Sequence, residues 1–157
     1  MSKALRAQVL TYLQEHNTLT VATEGPDGPW AAGLFYASDD FLIYWLSKGG
    51  SRHSRNIAYR PRVSIAIHED YQDWRLIQGI QMEGMAELIG KPSQNAEVMS
   101  TYIAKFPFMA VGYTSRKLAG ALVGALTRVQ VYRFTPDLIF FVDNTRGLGH
   151  RRKLKPS

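Results

Sequence analysis

The 157-residue sequence has no cysteine, and this absence excludes disulfides, thiolate nucleophiles and cysteine-ligated metals. It fits a reducing compartment, because disulfides form and persist in oxidising ones. The sequence also lacks an apolar run of roughly 18 residues, the length that marks a membrane-spanning helix. The basic and then apolar pattern of a signal peptide is missing from the N-terminus. We therefore expect a cytoplasmic protein with no membrane segment.

Motifs for metals, dinucleotides and activated serines are missing as well. None of the four histidines, His16, His53, His68 and His150, is spaced with another histidine or a carboxylate as a metal site requires. No Gly-x-Gly-x-x-Gly follows a predicted strand, and no Gly-x-Ser-x-Gly elbow occurs. These absences count against a metal site, a Rossmann-type nucleotide site and a hydrolase built on a nucleophile elbow.

Positive charge is concentrated at the C-terminal end of the chain. The net charge is +6, and residues 146–157 hold five basic residues and no acid, which leaves +1 for the rest. Because the body is nearly neutral, we do not expect a broad nucleic-acid-binding face, although a β-barrel that uses the tail for this is an open alternative. The tail is either a frayed basic terminus or, through the glycines between Arg146 and Arg151, a loop folded back onto an anion or a partner subunit.

The pattern of apolar residues predicts a single domain over residues 1–157 that is mainly β (α+β), an antiparallel barrel with peripheral helices. Tight turns predict that the first three of about seven strands form an antiparallel meander. Gly79 and Gly84 are candidate bulges in a long strand. The predicted strands are Thr18–Thr23, Pro29–Ala37, Phe41–Ser47, Val63–His68, Trp74–Ile89, Val129–Phe134 and Leu138–Val142. Helices are predicted at Ser2–His16, Ser51–Arg60 and Pro92–Phe106, and Thr114–Leu126 stays ambiguous because two glycines interrupt its helical pattern.

The stretch Trp45–Arg62 carries the strongest candidate site. It leaves an apolar strand, turns through two glycines and enters a short helix that Ser51 caps and a proline stops. The first helical turn brings Arg52, His53 and Arg55 beside unpaired backbone N–H groups. A helix N-terminus with two guanidinium groups favours a phosphate monoester, and a solvated basic helix is the open alternative.

Aromatic residues crowd two neighbouring strands in the first third of the chain. Core packing explains most of them, and a planar ligand lying across the strands would explain the rest. These residues are Trp30, Phe35, Tyr36, Phe41, Tyr44 and Trp45.

Three separated segments resemble one protein family. Ser47–Val63, SKGGSRHSRNIAYRPRV, is similar to the signature of the pyridoxamine 5′-phosphate oxidase-like, FMN-binding split-barrel proteins. Gly79–Glu87 resembles the long strand that follows in that family, at the expected distance. Phe141–Gly149 resembles the ending of a short, uncharacterised bacterial branch. The resemblance runs from about Thr18 to Arg152.

The resemblance implies a six-stranded split barrel that forms a homodimer and holds two FMN molecules in the dimer interface. Arg52 and His53 match the basic pair that binds the FMN phosphate, and Ser51 and Arg55 would support them. The strand end beside the cofactor corresponds to Leu46 and Ser47. The strand whose backbone lines the flavin ring corresponds to Ala31, Ala32, Gly33, Leu34, Phe35 and Tyr36.

The chain departs from the family pattern in two ways. His53 stands where the family usually has lysine, which predicts a weaker, pH-dependent grip on phosphate. Residues 31–36 lack the basic side chains of true pyridoxamine phosphate oxidases, so we do not expect pyridoxamine phosphate as the substrate.

The resulting prediction is an FMN-dependent oxidoreductase that acts on an unassigned small molecule, with NAD(P)H as a candidate electron donor. Deazaflavin and haem are alternative cofactors, because relatives of this fold bind them. The alternative function is a non-catalytic flavin or haem carrier or sensor. No catalytic residue is assigned, and His150 and Arg151 near the tail are the only candidates.

Overall fold

The computed structural model describes residues 3–111 and 116–156. Ser2, Thr114 and Ser157, which fall within predicted segments, lie outside these ranges. The helices are α1 (Lys3–Glu15), α2 (Arg52–Tyr59), α3 (Ala96–Lys105), α4 (Phe108–Val111) and α5 (Arg116–Leu126). The strands are β1 (Thr18–Gly25), β2 (Gly28–Phe35), β3 (Ala37–Asp39), β4 (Leu42–Ser47), β5 (Arg62–His68), β6 (Gln78–Gly90), β7 (Gln130–Asp143) and β8 (Arg151–Leu154). Single 3-10 turns occupy Trp74–Leu76, Pro92–Gln94 and Asn144–Arg146.

One antiparallel sheet contains all eight strands, in the order β2-β1-β5-β6-β7-β4-β3, with β8 also paired to β7. The two strands at the ends of this order, β2 and β3, are separated in the chain by Tyr36 alone. The sheet must therefore curl until its ends meet at Tyr36, although no ladder joins β2 to β4. This is an antiparallel split barrel with helices on its outside, and the predicted fold class is confirmed.

The predicted meander of the first three strands is wrong. Strand β2 pairs with β1, but the returning strand β4 pairs with β7. The ring of Tyr36 is fully buried, and its hydroxyl donates to the carbonyl oxygen of Leu13 at 2.9 Å. The chain turns at Tyr36 and crosses the split, so β2 and β4 do not pair although they are close in sequence.

Strand β7 is one strand where two were predicted. Thr135-Pro136-Asp137, the expected turn, runs through its middle and lies opposite a bulge between Glu83 and Gly84. A proline fits there because the bulge disrupts the ladder in which its missing N–H would otherwise be needed. A Cβ at Gly84 would lie 2.2 Å from the carbonyl oxygen of Thr135, so this position requires glycine.

The other irregularities of β6 differ from the prediction. Gly79 pairs regularly with Val142, and the second register shift falls between Leu88 and Gly90. Trp74 belongs to a 3-10 turn ahead of the strand. The ambiguous segment is helical over Arg116–Leu126.

The basic tail is part of the barrel. After a turn in which Gly147 and Gly149 take φ values of 130° and 69°, β8 pairs with residues 139–142 of β7. Leu154 is buried at 2% exposure and belongs to the barrel core. The tail therefore folds back onto its own chain, and a frayed terminus is not what the structure shows for residues 151–154.

Two apolar clusters position the candidate site. The larger fills the barrel, with Trp45 and Phe134 among its fully buried side chains. The smaller lies under α3 and contains Tyr44, Tyr102 and Phe106. Within the residues that the structure describes, no helix has the length and apolarity needed to cross a membrane.

Candidate functional site

Helix α2 begins and ends where its sequence predicts. Ser51 is the N-cap, and its side chain accepts a hydrogen bond from the backbone N–H of Ser54 at 3.3 Å. At the other end the N–H of Arg60 donates to the carbonyl oxygen of Asn56, ahead of Pro61. As in any α-helix, the first N–H groups lack partners within the helix; that of Ser54 is capped by Ser51, which leaves those of Arg52 and His53 for an anion.

His53 points inward from this helix to two hydroxyl groups. Its Nε2 atom lies 2.5 Å from the Oγ of Ser47 and 3.1 Å from the Oγ of Ser51. The residue is 7% exposed, and burial lowers the pKa of His53 below its ordinary value. His53 is therefore neutral at neutral pH, and it orders two hydroxyls at the helix start without adding a positive charge there.

Arg52 supplies the cation at this end of the helix. Its guanidinium carbon lies 4.5 Å from the ring centroid of Trp30, and its Nη2 donates to the carbonyl oxygen of Asp27 at 2.8 Å. Its Nε is buried and has no hydrogen-bond partner among the described residues. A buried N–H without an acceptor is costly, and Trp45, His150 and Arg152 hold three more such atoms among the described residues. Arg52 differs from them in lying at the first position of a capped helix.

Arg55 lies on the exposed side of the same turn. Its Nη1 donates to the carbonyl oxygen of Gly50, which keeps a second guanidinium beside the glycine turn. A Cβ at Gly50 would meet nothing within 4 Å, so the backbone here faces open space. Ser51, Arg52, His53 and Arg55 thus lie with Ser47 around the start of α2, and their role in holding a cofactor stays a prediction.

Strand β2 presents its predicted residues on two faces. Ala31, Gly33 and Phe35 are exposed, whereas Ala32 and Leu34 pack against the barrel core. Tyr36 is fully buried, so its ring faces the core. Among the six crowded aromatic residues, Trp30 and Phe35 are 42% and 57% exposed, and the other four are core residues, as expected for most of them.

A groove of about 320 Å³ follows the split between β2 and β4. Two predicted segments meet in it, since Gly33, Leu34 and Phe35 form one side and Leu46 contributes to the other. Its remaining described residues come from α3, α4 and their connection: Tyr102, Phe106, Phe108 and Met109. These four residues were not predicted as site residues, and the aromatic spacing of Tyr102, Phe106 and Phe108 was the available signal.

His150 and Arg151 are not brought to α2 within one chain. They lie beside residues 139–142 of β7, whereas β4, which leads to α2, pairs with residues 130–134. The guanidinium of Arg151 lies 4.6 Å from the ring centroid of Phe140, and the Nε2 of His150 is buried without a partner among the described residues. Over residues 3–111 and 116–156 no cluster of three or more His, Cys, Asp or Glu could hold a metal ion.

The chain is similar in sequence or in fold to several known bacterial proteins. A UPF0306 protein of Klebsiella pneumoniae is 24% identical over 147 residues, which cover 92% of this chain and 89% of that protein. The conserved hypothetical protein Rv2991 from Mycobacterium tuberculosis superposes with a TM-score of 0.73 at 24% identity, over 100% of this chain and 94% of that one. HutZ, the haem storage protein from Vibrio cholerae, superposes with a TM-score of 0.63 at 19% identity, over 83% and 88% of the two chains.

The family follows from a match over most of the chain. The family described as pyridoxamine 5′-phosphate oxidase matches residues 5–143, which include the capped start of α2, the strand β2 and the groove between them and α3. The protein therefore belongs to the pyridoxamine 5′-phosphate oxidase family.

Proposed function

We propose that this protein binds FMN through its phosphate at the start of α2 and acts as an FMN-dependent oxidoreductase on a small molecule. The observation that carries the proposal is the buried Nε of Arg52, which has no partner among the described residues and lies at the first position of a capped helix. A phosphate monoester supplies the oxygens that such an N–H, the adjacent helix N-terminus and a guanidinium bind best.

The residues of the site fit this headgroup. Arg52 is held in place by the ring of Trp30 and the carbonyl of Asp27, so little side-chain entropy remains to be lost on binding. Ser47 and Ser51 offer hydroxyls that the neutral ring of His53 orients. His53 thus replaces the family's second cation with an ordered pair of hydrogen-bonding groups.

The flavin ring would lie against the exposed side of β2, where Ala31, Gly33 and Phe35 leave backbone accessible. When bound, FMN supplies the electron-transfer chemistry, and the protein contributes binding, orientation and electrostatic tuning. The homodimer is part of the proposal, because two chains would enclose a cofactor that a single small barrel can hold only at its rim. The electron donor, for which NAD(P)H is the candidate, and the cytoplasmic location belong to the same proposal.

The visible absorption spectrum of the purified protein tests the cofactor directly. We expect flavin bands, or uptake of added FMN at micromolar concentrations, the range in which a specific site is occupied. A spectrum without flavin bands, together with no FMN binding at those concentrations, refutes the proposal. NAD(P)H consumption above that of free FMN then separates an oxidoreductase from a flavin carrier.

A second candidate is non-catalytic cofactor binding, and the similarity to the haem storage protein HutZ favours haem. His68 is the exposed histidine of the four, with its Nδ1 within hydrogen-bond distance of the carbonyl oxygen of Glu69, and its Nε2 would be the iron ligand. Titration with haemin distinguishes this candidate: a Soret shift that is lost in His68→Ala supports it, and an unchanged haemin spectrum removes it. A deazaflavin is tested by the same titration with that cofactor in place of haemin.

A further inference from the structure

We infer that the groove along the split takes a neutral, flat, largely apolar aromatic molecule as substrate. Its described lining contains three phenylalanines, Phe35, Phe106 and Phe108, and the ring of Tyr102, with no charged side chain. The role as substrate rests on the proposed flavin function, whereas binding of the aromatic molecule does not.

The phenylalanines form a continuous aromatic wall. The rings of Phe35 and Phe106 meet edge to face with centroids 5.4 Å apart, and Phe106 and Phe108 are 5.9 Å apart. Phe35 and Phe108 are 57% and 62% exposed, while Phe106 between them is 5% exposed. Exposed rings around a buried one offer edges and faces against which a planar aromatic ligand packs.

Hydrogen bonds of α3 hold the buried part of the wall in place before any ligand binds. The hydroxyl of Tyr102 lies 3.0 Å from the carbonyl oxygen of Phe35 and 3.1 Å from that of Tyr44, so α3 is tied to both sides of the split. One turn later, the Nζ of Lys105 donates to the carbonyl oxygens of Leu13 and His16 at 2.8 and 2.6 Å. A prearranged groove loses little conformational entropy on binding.

The contacts of Lys105 and Tyr102 favour a neutral ligand over an anionic one. Lys105 is the cation on α3, and its ammonium group is directed to the end of α1, 3.8 Å from the ring centroid of Tyr36 and 5.9 Å from that of Phe106. It is therefore engaged by backbone carbonyl oxygens and does not line the groove. The phenolic proton of Tyr102 is shared between backbone carbonyls, and burial raises the pKa of Tyr102 above its ordinary value. Among the described residues that line the groove none is a cation, so an anionic ligand would be desolvated there without a charged partner from this lining, which disfavours it.

Two probes of the same ring system and different charge test the inference. Binding of neutral 2-naphthol and anionic 2-naphthoate to the full-length protein is measured by calorimetry, with and without FMN. We expect 2-naphthol to bind at least about tenfold more tightly, because the apolar groove must desolvate the carboxylate. Equal affinities, or tighter binding of naphthoate, overturn the inference.

Point variants locate the binding. Phe108→Ala is expected to lower the affinity for 2-naphthol by about tenfold, because it removes the aromatic ring that the probe would cover. Trp74→Ala is the matched control, because Trp74 is 56% exposed and does not line the groove. Phe35→Ala, on the opposite side, is expected to behave like Phe108→Ala. If neither groove variant changes the affinity, the probe binds elsewhere and the inference fails.

FMN and the probe separate the two proposals. Displacement of bound FMN by 2-naphthol would show that the groove holds the flavin ring itself, which overturns a separate substrate site. Binding of 2-naphthol to protein that takes up no FMN would refute the proposed function and still support the aromatic groove. The dimer dissociation constant of Phe108→Ala is measured as well. If the protein does not bind 2-naphthol and Phe108→Ala changes this constant, the aromatic wall belongs to a subunit interface and the inference is overturned.

Discussion

The Nε2 atom of His53 lies 2.5 Å from the hydroxyl oxygen of Ser47, in a position where only 7% of the histidine is exposed. This contact turns the second residue of α2 away from solvent and toward the end of β4. His53, which the resemblance places where the family usually has lysine, is therefore a buried, neutral hydrogen-bonding group, and the positive charge near the start of α2 comes from Arg52 and Arg55.

The burial of His53 predicts a pH-dependent stability. The pKa of His53 is lowered in the folded protein, whereas in the unfolded chain it has the ordinary histidine value of about 6.5. As the pH falls below that value, the unfolded chain therefore takes up a proton before the folded protein does. The free energy of unfolding should then fall by up to about 1.4 kcal/mol per pH unit, the slope for one proton. Urea denaturation between pH 7 and 5 measures this, and His53→Gln should flatten the slope. A matched control is His68→Gln at an exposed position, and the same slope in both variants would contradict the assignment.

Arg52→Ala is expected to weaken FMN binding by about 1.5–3 kcal/mol, the range for a hydrogen bond to a charged group. The variant removes the unpartnered Nε–H and the guanidinium together. Fluorescence titration of FMN gives the affinity. Arg60→Ala is the control, because Arg60 lies at the opposite end of α2 and pairs with Glu24. Equal affinities of Arg52→Ala and the wild type would remove Arg52 from the site.

Tyr102→Phe tests the bridge across the split. The hydroxyl lies within hydrogen-bond distance of carbonyl oxygens on β2 and β4, which no ladder joins. Removing the hydroxyl loses one buried and one part-buried contact, which should lower the free energy of unfolding by about 1–3 kcal/mol. Tyr59→Phe, at a position that is 62% exposed, should have little effect in the same chemical denaturation. Indistinguishable midpoints for the two variants would show that the bridge does not stabilise the barrel.

Gly84→Ala tests the bulge that keeps β7 continuous. The added Cβ would lie 2.2 Å from a backbone oxygen of Thr135, which cannot move as a flexible side chain would. We expect a loss of about 1–3 kcal/mol, the usual cost of overpacking, or more. Gly33→Ala is the control, since a Cβ there meets nothing within 4 Å. Thermal unfolding compares them, and a Gly84→Ala protein as stable as Gly33→Ala would argue against this packing.

Leu154→Ala tests whether the tail belongs to the barrel. Leu154 is 2% exposed within the core, so its truncation should cost about 2–5 kcal/mol, as for other buried leucines. Lys155→Ala next to it changes an exposed residue and should cost little. A stability change below about 0.5 kcal/mol for Leu154→Ala, the range of surface substitutions, would mean that β8 is dispensable.

The sequence by itself determined the features that depend on consecutive residues. Ser51 and Pro61 set the two ends of α2 because capping and the missing proline N–H act over one helical turn. The basic residues of that turn were predicted to form an anion site for the same reason, which stays a prediction. Alternation located most strands and the mainly β fold class.

Only the tertiary structure decided which distant segments meet. Whether β4 pairs with β2 or with β7 depends on hydrogen bonds between residues almost ninety positions apart, such as Trp45 and Tyr132, and no local pattern encodes that choice. The same holds for the inward turn of His53, since its burial is a property of the packed barrel. The groove likewise joins Phe35 to Phe106 across the split, and their contact exists because the sheet closes at Tyr36.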